Sequence, residues 1–169
     1  MAKKNLTITL YMSELLYDVQ NKTYLTGKSR STGSNHEEVA NMQANEDEEN
    51  QNQILRSIGN AFSLLRTKLS EYIDEQSTSS INGNNILTSD EKDLNVTLVM
   101  PSNYNVASRE AISTAMHQYI VNTAIGDWFT ITNKSDASDY VTMSAANLEE
   151  IREAINKRFR PTRKNVSSL

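Results

Sequence analysis

The segment 48–75 carries the clearest hydrophobic pattern in the chain. Its apolar positions are Ile54, Leu55, Ile58, Phe62, Leu65, Leu69, Tyr72 and Ile73. Steps of three and four residues place these side chains on one helical face, so the segment predicts a long amphipathic helix. The acidic run at 46–49 complements the helix dipole at its amino end. Gly59 indicates a close packing contact or a bend within this helix.

Two short segments have the period-two pattern of half-buried strands. Leu6, Ile8 and Leu10 alternate with polar or amphipathic residues in 5–11. A second strand is predicted at 94–100, where Pro101 stops it. Both segments begin with a similar Asn-containing tetrapeptide, which suggests that the two strands pair.

Further helices are predicted on both sides of the long one. Ser13 is positioned to cap a helix at 13–22, and Val39, Ala40 and Met42 favour a short helix at 36–43. Two more helices are expected at 107–131 and 137–160. Candidate caps for these are Asn105 or Ser108 for the first, and Asp136 or Ser138 for the second. The predicted fold class is mainly α with a small β element, containing three or four helices and two short strands.

Length and composition favour one polar domain. The chain has 169 residues, of which 37% are hydrophobic, and its mean hydropathy is −0.58. We expect a single domain at 1–161 and a basic extended tail at 162–169. The absence of cysteine excludes disulfides, thiolate metal sites and cysteine nucleophiles. No stretch resembles a signal peptide or approaches the roughly 18 apolar residues of a membrane span, so an intracellular location is expected.

Two polar excursions, at 26–50 and 76–93, are predicted to be long loops. Loops longer than about 12–15 residues are uncommon inside a compact domain. In a protein without enzymatic chemistry, such loops most often reach a neighbouring subunit. The first strand, if it lies at a sheet edge, is likewise suited to strand addition between chains.

The stretch YLTGKSRSTG at 24–33 contains the Gly-Lys-Ser triplet that ends a nucleotide-binding P-loop. The full motif needs a second glycine five residues before Gly27, but Lys22 occupies that position. The triplet also follows a helical pattern rather than a buried strand. We therefore interpret it as an exposed loop, and nucleotide binding ranks last among the functions considered.

The remaining candidates for chemistry are two histidines and three aspartates. His36 lies beside Glu37 and Glu38, but adjacent helical residues do not point at one metal. His117 is interpreted as a hydrogen-bonded core or rim residue. The carboxylates near Trp128, which are Asp127, Asp136 and Asp139, lie in a polar segment that favours capping over acid-base catalysis. The sequence thus predicts no enzyme, and no catalytic, cofactor or metal site.

Charge is unevenly distributed along a chain whose net charge is −4 and whose pI is about 5.2. Acidic residues gather at 37–49. Basic residues gather near the carboxyl end at Lys157, Arg158, Arg160, Arg163 and Lys164. These patches could meet on adjacent copies, or the basic end could touch nucleic-acid phosphates. An equally weighted alternative is that the basic residues complement the dipole at the carboxyl end of the last helix, and that the tail is exposed to solvent.

The second half of the chain carries a resemblance to a known class. Trp128 and Phe129 end one helix, a polar turn and Tyr140 follow, and the last helix closes in Arg-Phe-Arg-Pro at 158–161. Over 105–163 the chain resembles the neck proteins of tailed bacteriophages, the head–tail connector or adaptor class. The amino-terminal half does not match, and two strands are unusual in a class whose members are largely helical.

The resemblance implies a virion protein, made in the host cytoplasm, that forms a homo-oligomeric ring between portal and tail. DNA would pass through this ring, and its partners would be the portal and neighbouring neck or tail proteins, without membrane contact. The basic residues named above would contact a neighbour or DNA. Expected core anchors are Ile58, Phe62, Tyr119, Trp128, Phe129 and Phe159. The alternatives are a small cytoplasmic protein-interaction module that uses the long helix, and a nucleic-acid-associated module that uses the basic tail.

Overall fold

The computed structural model describes residues 3–162 as five helices packed on a two-stranded sheet. The elements are β1 (Lys4–Leu10), α1 (Met12–Ser29), α2 (His36–Met42), α3 (Glu48–Lys68), β2 (Leu94–Met100), α4 (Arg109–Thr132) and α5 (Lys134–Ile155), with a 3₁₀ turn at Val106–Ser108 before α4. The predicted fold class, mainly α with a small β element, is confirmed. Five helices form instead of three or four, because the weakly indicated segment at 36–43 is helical from His36 to Met42.

The two strands pair antiparallel, as their similar patterns suggested, with Thr7 opposite Thr97. Leu6, Ile8 and Leu10 are buried on the inner face of β1. On the other face, the hydroxyls of Thr7 and Thr97 lie 3.0 Å apart. The alternation seen in the sequence therefore sets which face of the sheet meets the helices.

Helix α3 ends at Lys68, seven residues before the end of its amphipathic pattern, so the prediction that it continues to residue 75 is wrong. The next residues lie along the outer edge of β2 instead. Val99 N donates to Tyr72 O at 2.7 Å, and Asp74 N donates to Thr97 O at 2.8 Å. The backbone N–H and C=O groups at this edge of β2 bond to the segment after α3. These hydrogen bonds would be lost if α3 continued for another turn.

Helix α4 is the central element and is buried on most of its circumference. It packs against α5, α3 and α1. Ile58 and Phe62 of α3 are buried, as are Tyr119, Trp128 and Phe129 of α4. The Trp128 indole Nε1 donates to Met42 O at 2.8 Å, which joins α4 to the end of α2. This satisfies the polar atom of a large buried side chain.

The expectation that Phe159 is a core anchor is wrong, because its side chain is 54% exposed. Helix α5 ends at Ile155, so the chain leaves the helical register before Phe159 is reached. Phe159 N instead donates to Asn103 O at 3.0 Å. The carboxyl-terminal segment is thereby held beside the loop that follows β2.

The predicted loop at 26–50 is largely helical. Helix α1 continues to Ser29, α2 occupies part of the remainder, and α3 begins at Glu48. Gly27 lies where α2 packs against this part of α1, since a Cβ at this position would lie 3.0 Å from Val39 O and 3.4 Å from Met42 Cβ. The small residue lets α1 and α2 approach closely. By contrast, residues 76–93 contain no helix or strand, which agrees with the second predicted loop.

The predicted caps are replaced at α1 and α5, whereas Asn105, one of the two candidates before α4, is confirmed as a cap. Met12 N donates to Asp93 Oδ1 at 3.0 Å, and α1 begins there rather than after Ser13. Helix α5 begins at Lys134, with Asn133 as the single residue after α4, so neither Asp136 nor Ser138 is its cap. Asn105 Oδ1 accepts from Ala107 N at 3.1 Å and caps the 3₁₀ turn, whereas Ser108 makes no side-chain cap.

Candidate assembly surfaces

His117 links helix α4 to helix α1. Its Nε2 lies 2.7 Å from Asp18 Oδ2 on α1. One turn along α1, Lys22 Nζ donates to Gln118 Oε1 at 2.7 Å, and burial lowers the pKa of Lys22. His36 is exposed at the start of α2. Within residues 3–162, no group of three or more metal-ligating side chains is brought together.

The three candidate carboxylates near Trp128 do not converge. The protein around Asp127 desolvates its carboxyl and raises the pKa, while a hydrogen bond with Ser57 of α3 lowers it. Asp139 is exposed on α5. Asp136 is 4% exposed and lies against α1, where Arg30 Nε donates to its Oδ2 at 3.1 Å. Asp127 therefore lies toward α3, whereas the charges of Asp136 and Asp139 both act on Arg30.

Asp136 predicts a pH-dependent contribution to stability. Hydrogen bonds from Arg30 and Asn133 hold its pKa below the ordinary 3.8, against the opposing effect of burial. A carboxyl whose pKa is lower in the folded state stabilises at neutral pH, and this contribution disappears as the pH falls through the folded pKa. We expect the free energy of unfolding to decrease more between pH 5 and pH 2 in wild type than in Asp136→Asn.

Chemical denaturation at a series of pH values measures this difference. Glu150→Gln is the matched control, since it removes an exposed carboxylate about four turns further along the same helix. The control curve is expected to follow wild type. Parallel curves for wild type and Asp136→Asn would show that the Arg30 contact gives no stability.

The Gly-Lys-Ser triplet lies in the last turn of α1. Gly27 is buried against α2, and Lys28 Nζ lies 5.9 Å from the centre of the Tyr24 ring. A P-loop binds phosphate with a run of free backbone N–H groups ahead of its helix. The same groups here donate within α1, so the triplet has no phosphate-binding geometry.

The basic residues near the carboxyl end do not occupy the last turn of α5 as predicted, since the helix ends at Ile155. Lys157 pairs with Glu153 at 2.7 Å. Arg158 Nη1 donates to Ile155 O at 2.7 Å and so still stabilises the helix end. Arg160 is exposed. Arg163 and Lys164 lie outside the described residues.

Cations from three separate segments meet beside this helix end. Lys4 Nζ lies 6.0 Å from the centre of the Phe159 ring, next to Arg160. Arg158 lies opposite Tyr104 in an antiparallel bridge. Burial raises the pKa of Tyr104, and the nearby charges of Arg109 and Arg158 oppose this rise. We define the basic surface as Lys3, Lys4, Arg109, Arg158 and Arg160. Sequence analysis missed this grouping because its members are far apart in the chain.

Two carboxylates border the basic surface. Glu71 lines a surface depression together with Lys3, and Glu110 follows Arg109 at the start of α4. Lys157 is excluded from the basic surface because Glu153 neutralises it. The five cations still outnumber these neighbours, so the surface keeps an excess of positive charge.

The acidic surface consists of Glu46, Asp47, Glu48 and Glu49, all of them exposed where α3 begins. Asn45 Nδ2 donates to Asp47 Oδ2 at 2.6 Å, but none of the four forms an ion pair within residues 3–162. Asp47 also lines a depression with Trp128 and Ile131, which places the acidic surface near the carboxyl end of α4.

The edge of the sheet formed by β1 has no backbone hydrogen-bond partner within the described chain. Residues 95, 97 and 99 of β2 direct their backbone groups to the segment 72–79, as in the bond from Ser79 N to Asn95 O at 2.8 Å. Backbone groups of alternate residues point to opposite edges, so Asn5, Thr7 and Thr9 of β1 direct theirs away from β2. Arg109 Nη2 donates to Thr7 O at 3.3 Å. Within the described chain, no backbone segment covers this edge.

Comparisons with protein-family models, curated proteins and solved structures found no match for this chain. A search of residues 3–162 for a helix long and apolar enough to cross a membrane also found none.

Proposed function

We propose that this protein is a structural subunit of a tailed-phage neck, forming a homo-oligomeric ring between portal and tail. The observation that carries the assembly role is the uncovered edge of β1. Natural proteins usually shorten, charge or cover such edges, because free backbone groups pair with other chains. Here β1 spans seven residues, and within residues 3–162 the backbone N–H and C=O groups of Asn5 and Thr9 form no backbone hydrogen bond, which leaves them available to a neighbour.

The wider surface supports the same role. Large side chains are exposed on several elements, including Tyr17 at 61%, Ile131 at 69% and Val141 at 57%. A subunit held between neighbours needs contacts on more than one side, and these residues lie on α1, α4 and α5. The placement in a phage neck rests on the resemblance over 105–163, which carries the Trp-Phe pair and the Arg-Phe-Arg-Pro ending.

The composition of purified particles tests this function. Virions from the source culture are washed in high salt and analysed by mass spectrometry. The proposal expects the protein to remain in the washed particles. Its presence in the soluble lysate alone would overturn the neck assignment.

Nucleic-acid association is a second candidate, favoured by the basic surface and the exposed Phe159 ring beside it. Aromatic rings stack on bases while cations contact phosphates. Binding through these groups would weaken steeply with salt. The net charge of −4 and the acidic surface argue against a protein dedicated to nucleic acid, which ranks this candidate second.

A further inference from the structure

We propose that the basic surface of one copy binds the acidic surface of the next, so that copies associate head to tail. The inference rests on the proposed homo-oligomer and specifies its subunit contact. A heterologous contact of this kind, repeated around a closing rotation, generates a ring.

The two surfaces lie toward opposite ends of α4. Arg109 is the first residue of this 24-residue helix, and Trp128 lies near its last. At a rise of about 1.5 Å per residue, α4 is about 36 Å long. The Trp128 bond to Met42 O holds the end of α2 at the far end, and Ala44 N donates to Thr23 Oγ1 at 3.1 Å just before the acidic surface begins. The basic surface therefore cannot reach the acidic surface of its own chain.

Neither surface is neutralised within the described part of the chain. The acidic surface forms no ion pair there. In the basic surface, Arg109 and Arg158 donate to backbone carbonyls and Lys4 lies over an aromatic ring. These partners carry no negative charge, so the cations keep their full charge for a partner.

The acidic end of the molecule also contains cations. Arg30 is paired with Asp136, and Lys28 lies over Tyr24. Lys134 is exposed at the start of α5. Glu37 and Glu38 of α2 add further negative charge at this end. The end remains net negative and complements a basic surface of the same protein.

Charge reversal on each surface gives the test. Variant A carries Glu46→Lys, Glu48→Lys and Glu49→Lys, which changes the acidic surface from four negative charges to a net charge of +2. Variant B carries Lys3→Glu, Lys4→Glu and Arg160→Glu, which changes the basic surface from five positive charges to a net charge of −1. These side chains are exposed and make no hydrogen bond to the backbone that the structure records. Variant A has two basic surfaces and variant B has two acidic ones. In a solution of either variant alone, each contact between copies brings surfaces of like charge together. In a mixture of the two variants, each surface of variant A can meet an oppositely charged surface of variant B.

Sedimentation equilibrium measures the association at an ionic strength of about 0.01 M, where the Debye length is about 30 Å. For wild type we expect an average mass that rises with concentration beyond twice 19.0 kDa and falls again at about 1 M salt. Variants A and B are each expected to associate at least about tenfold more weakly, because like charges face each other. The equimolar mixture is expected to recover association. Lys92→Glu, an exposed cation outside both surfaces, is the matched control and should behave as wild type.

Thermal melting of each variant confirms that the fold is intact before association is compared. Wild type that remains a monomer, a mass that stops at a dimer, or a mixture that does not associate would overturn the head-to-tail contact. If variant B alone changes behaviour, and what it loses is binding to duplex DNA, the basic surface serves nucleic acid instead. The neck function is judged separately by particle composition, so failure of this contact leaves that proposal standing.

Discussion

Replacing Phe129 with alanine is expected to lower the free energy of unfolding by about 3–5 kcal/mol. Phe129 is fully buried in α4 and meets Tyr140 of α5 edge to face, with ring centres 5.4 Å apart. Truncation removes apolar contact and leaves a cavity between the two helices. Denaturant unfolding followed by circular dichroism measures the loss, which should appear as a lower midpoint with an unchanged slope.

Phe159→Ala is the matched control for this prediction. Sequence reasoning placed both phenylalanines in the core, but Phe159 is 54% exposed and lies beyond the end of α5. We expect its replacement to change stability by no more than about 0.5 kcal/mol. Equal losses for the two variants would contradict the position of the carboxyl-terminal segment.

Gly59→Ala is expected to destabilise the protein by about 1–3 kcal/mol, although alanine favours a helix by about 1 kcal/mol over glycine. A Cβ at Gly59 would lie 2.7 Å from Asn82 C and 2.7 Å from Gly83 N. These are backbone atoms of the loop packed on α3, so the clash cannot be relieved by a side-chain rotation. The contact therefore outweighs the gain in helix propensity.

Gly126→Ala is the control that shows the effect of helix propensity without a backbone clash of the kind expected at Gly59. The nearest atom to a Cβ at Gly126 is Val141 Cγ2 at 3.4 Å, a distance close to ordinary van der Waals contact. We expect this variant to keep wild-type stability or to gain up to about 1 kcal/mol. The same unfolding assay compares both variants. If Gly59→Ala were as stable as Gly126→Ala, the loop at 82–83 would not be packed against α3.

Hydrophobic periodicity predicted the elements that bury one apolar face against the core. The alternation of Leu6, Ile8 and Leu10 defined β1, and the spacing of Ile54, Ile58 and Phe62 defined α3. Element ends were predicted less well, because distant groups decide them. Tyr72 and Ile73 fit the helical pattern, yet they lie against β2, and no local signal reports that a strand edge is available to them.

The polar segments show the same limit. A stretch rich in Ser, Gly and Asn was predicted as loop, although Gly27 belongs to α1 and gives α2 room to pack. Asp136 is a residue type that often caps helices, but its carboxylate instead accepts a hydrogen bond from Arg30, the residue that follows α1. In both cases a contact between residues far apart in sequence overrides the local preference. Reasoning from a single sequence has no information about such contacts.

The candidate surfaces divide in the same way. The acidic surface is continuous in sequence and was recognised from it. The basic surface combines the start of β1, the start of α4 and the carboxyl-terminal segment, which only the fold brings together. Lys4 and Arg109 carried no signal in the sequence, whereas Arg158 and Arg160 were identified as contact residues.

Quantification of this protein in complete virions, tail-less heads and isolated tails tests the neck assignment most directly. Each fraction is washed in high salt, and the protein is measured by mass spectrometry against the major coat protein. The neck assignment predicts a low and fixed ratio in complete virions that survives the wash. Absence from all three fractions, with the protein recovered from the soluble lysate, would contradict it.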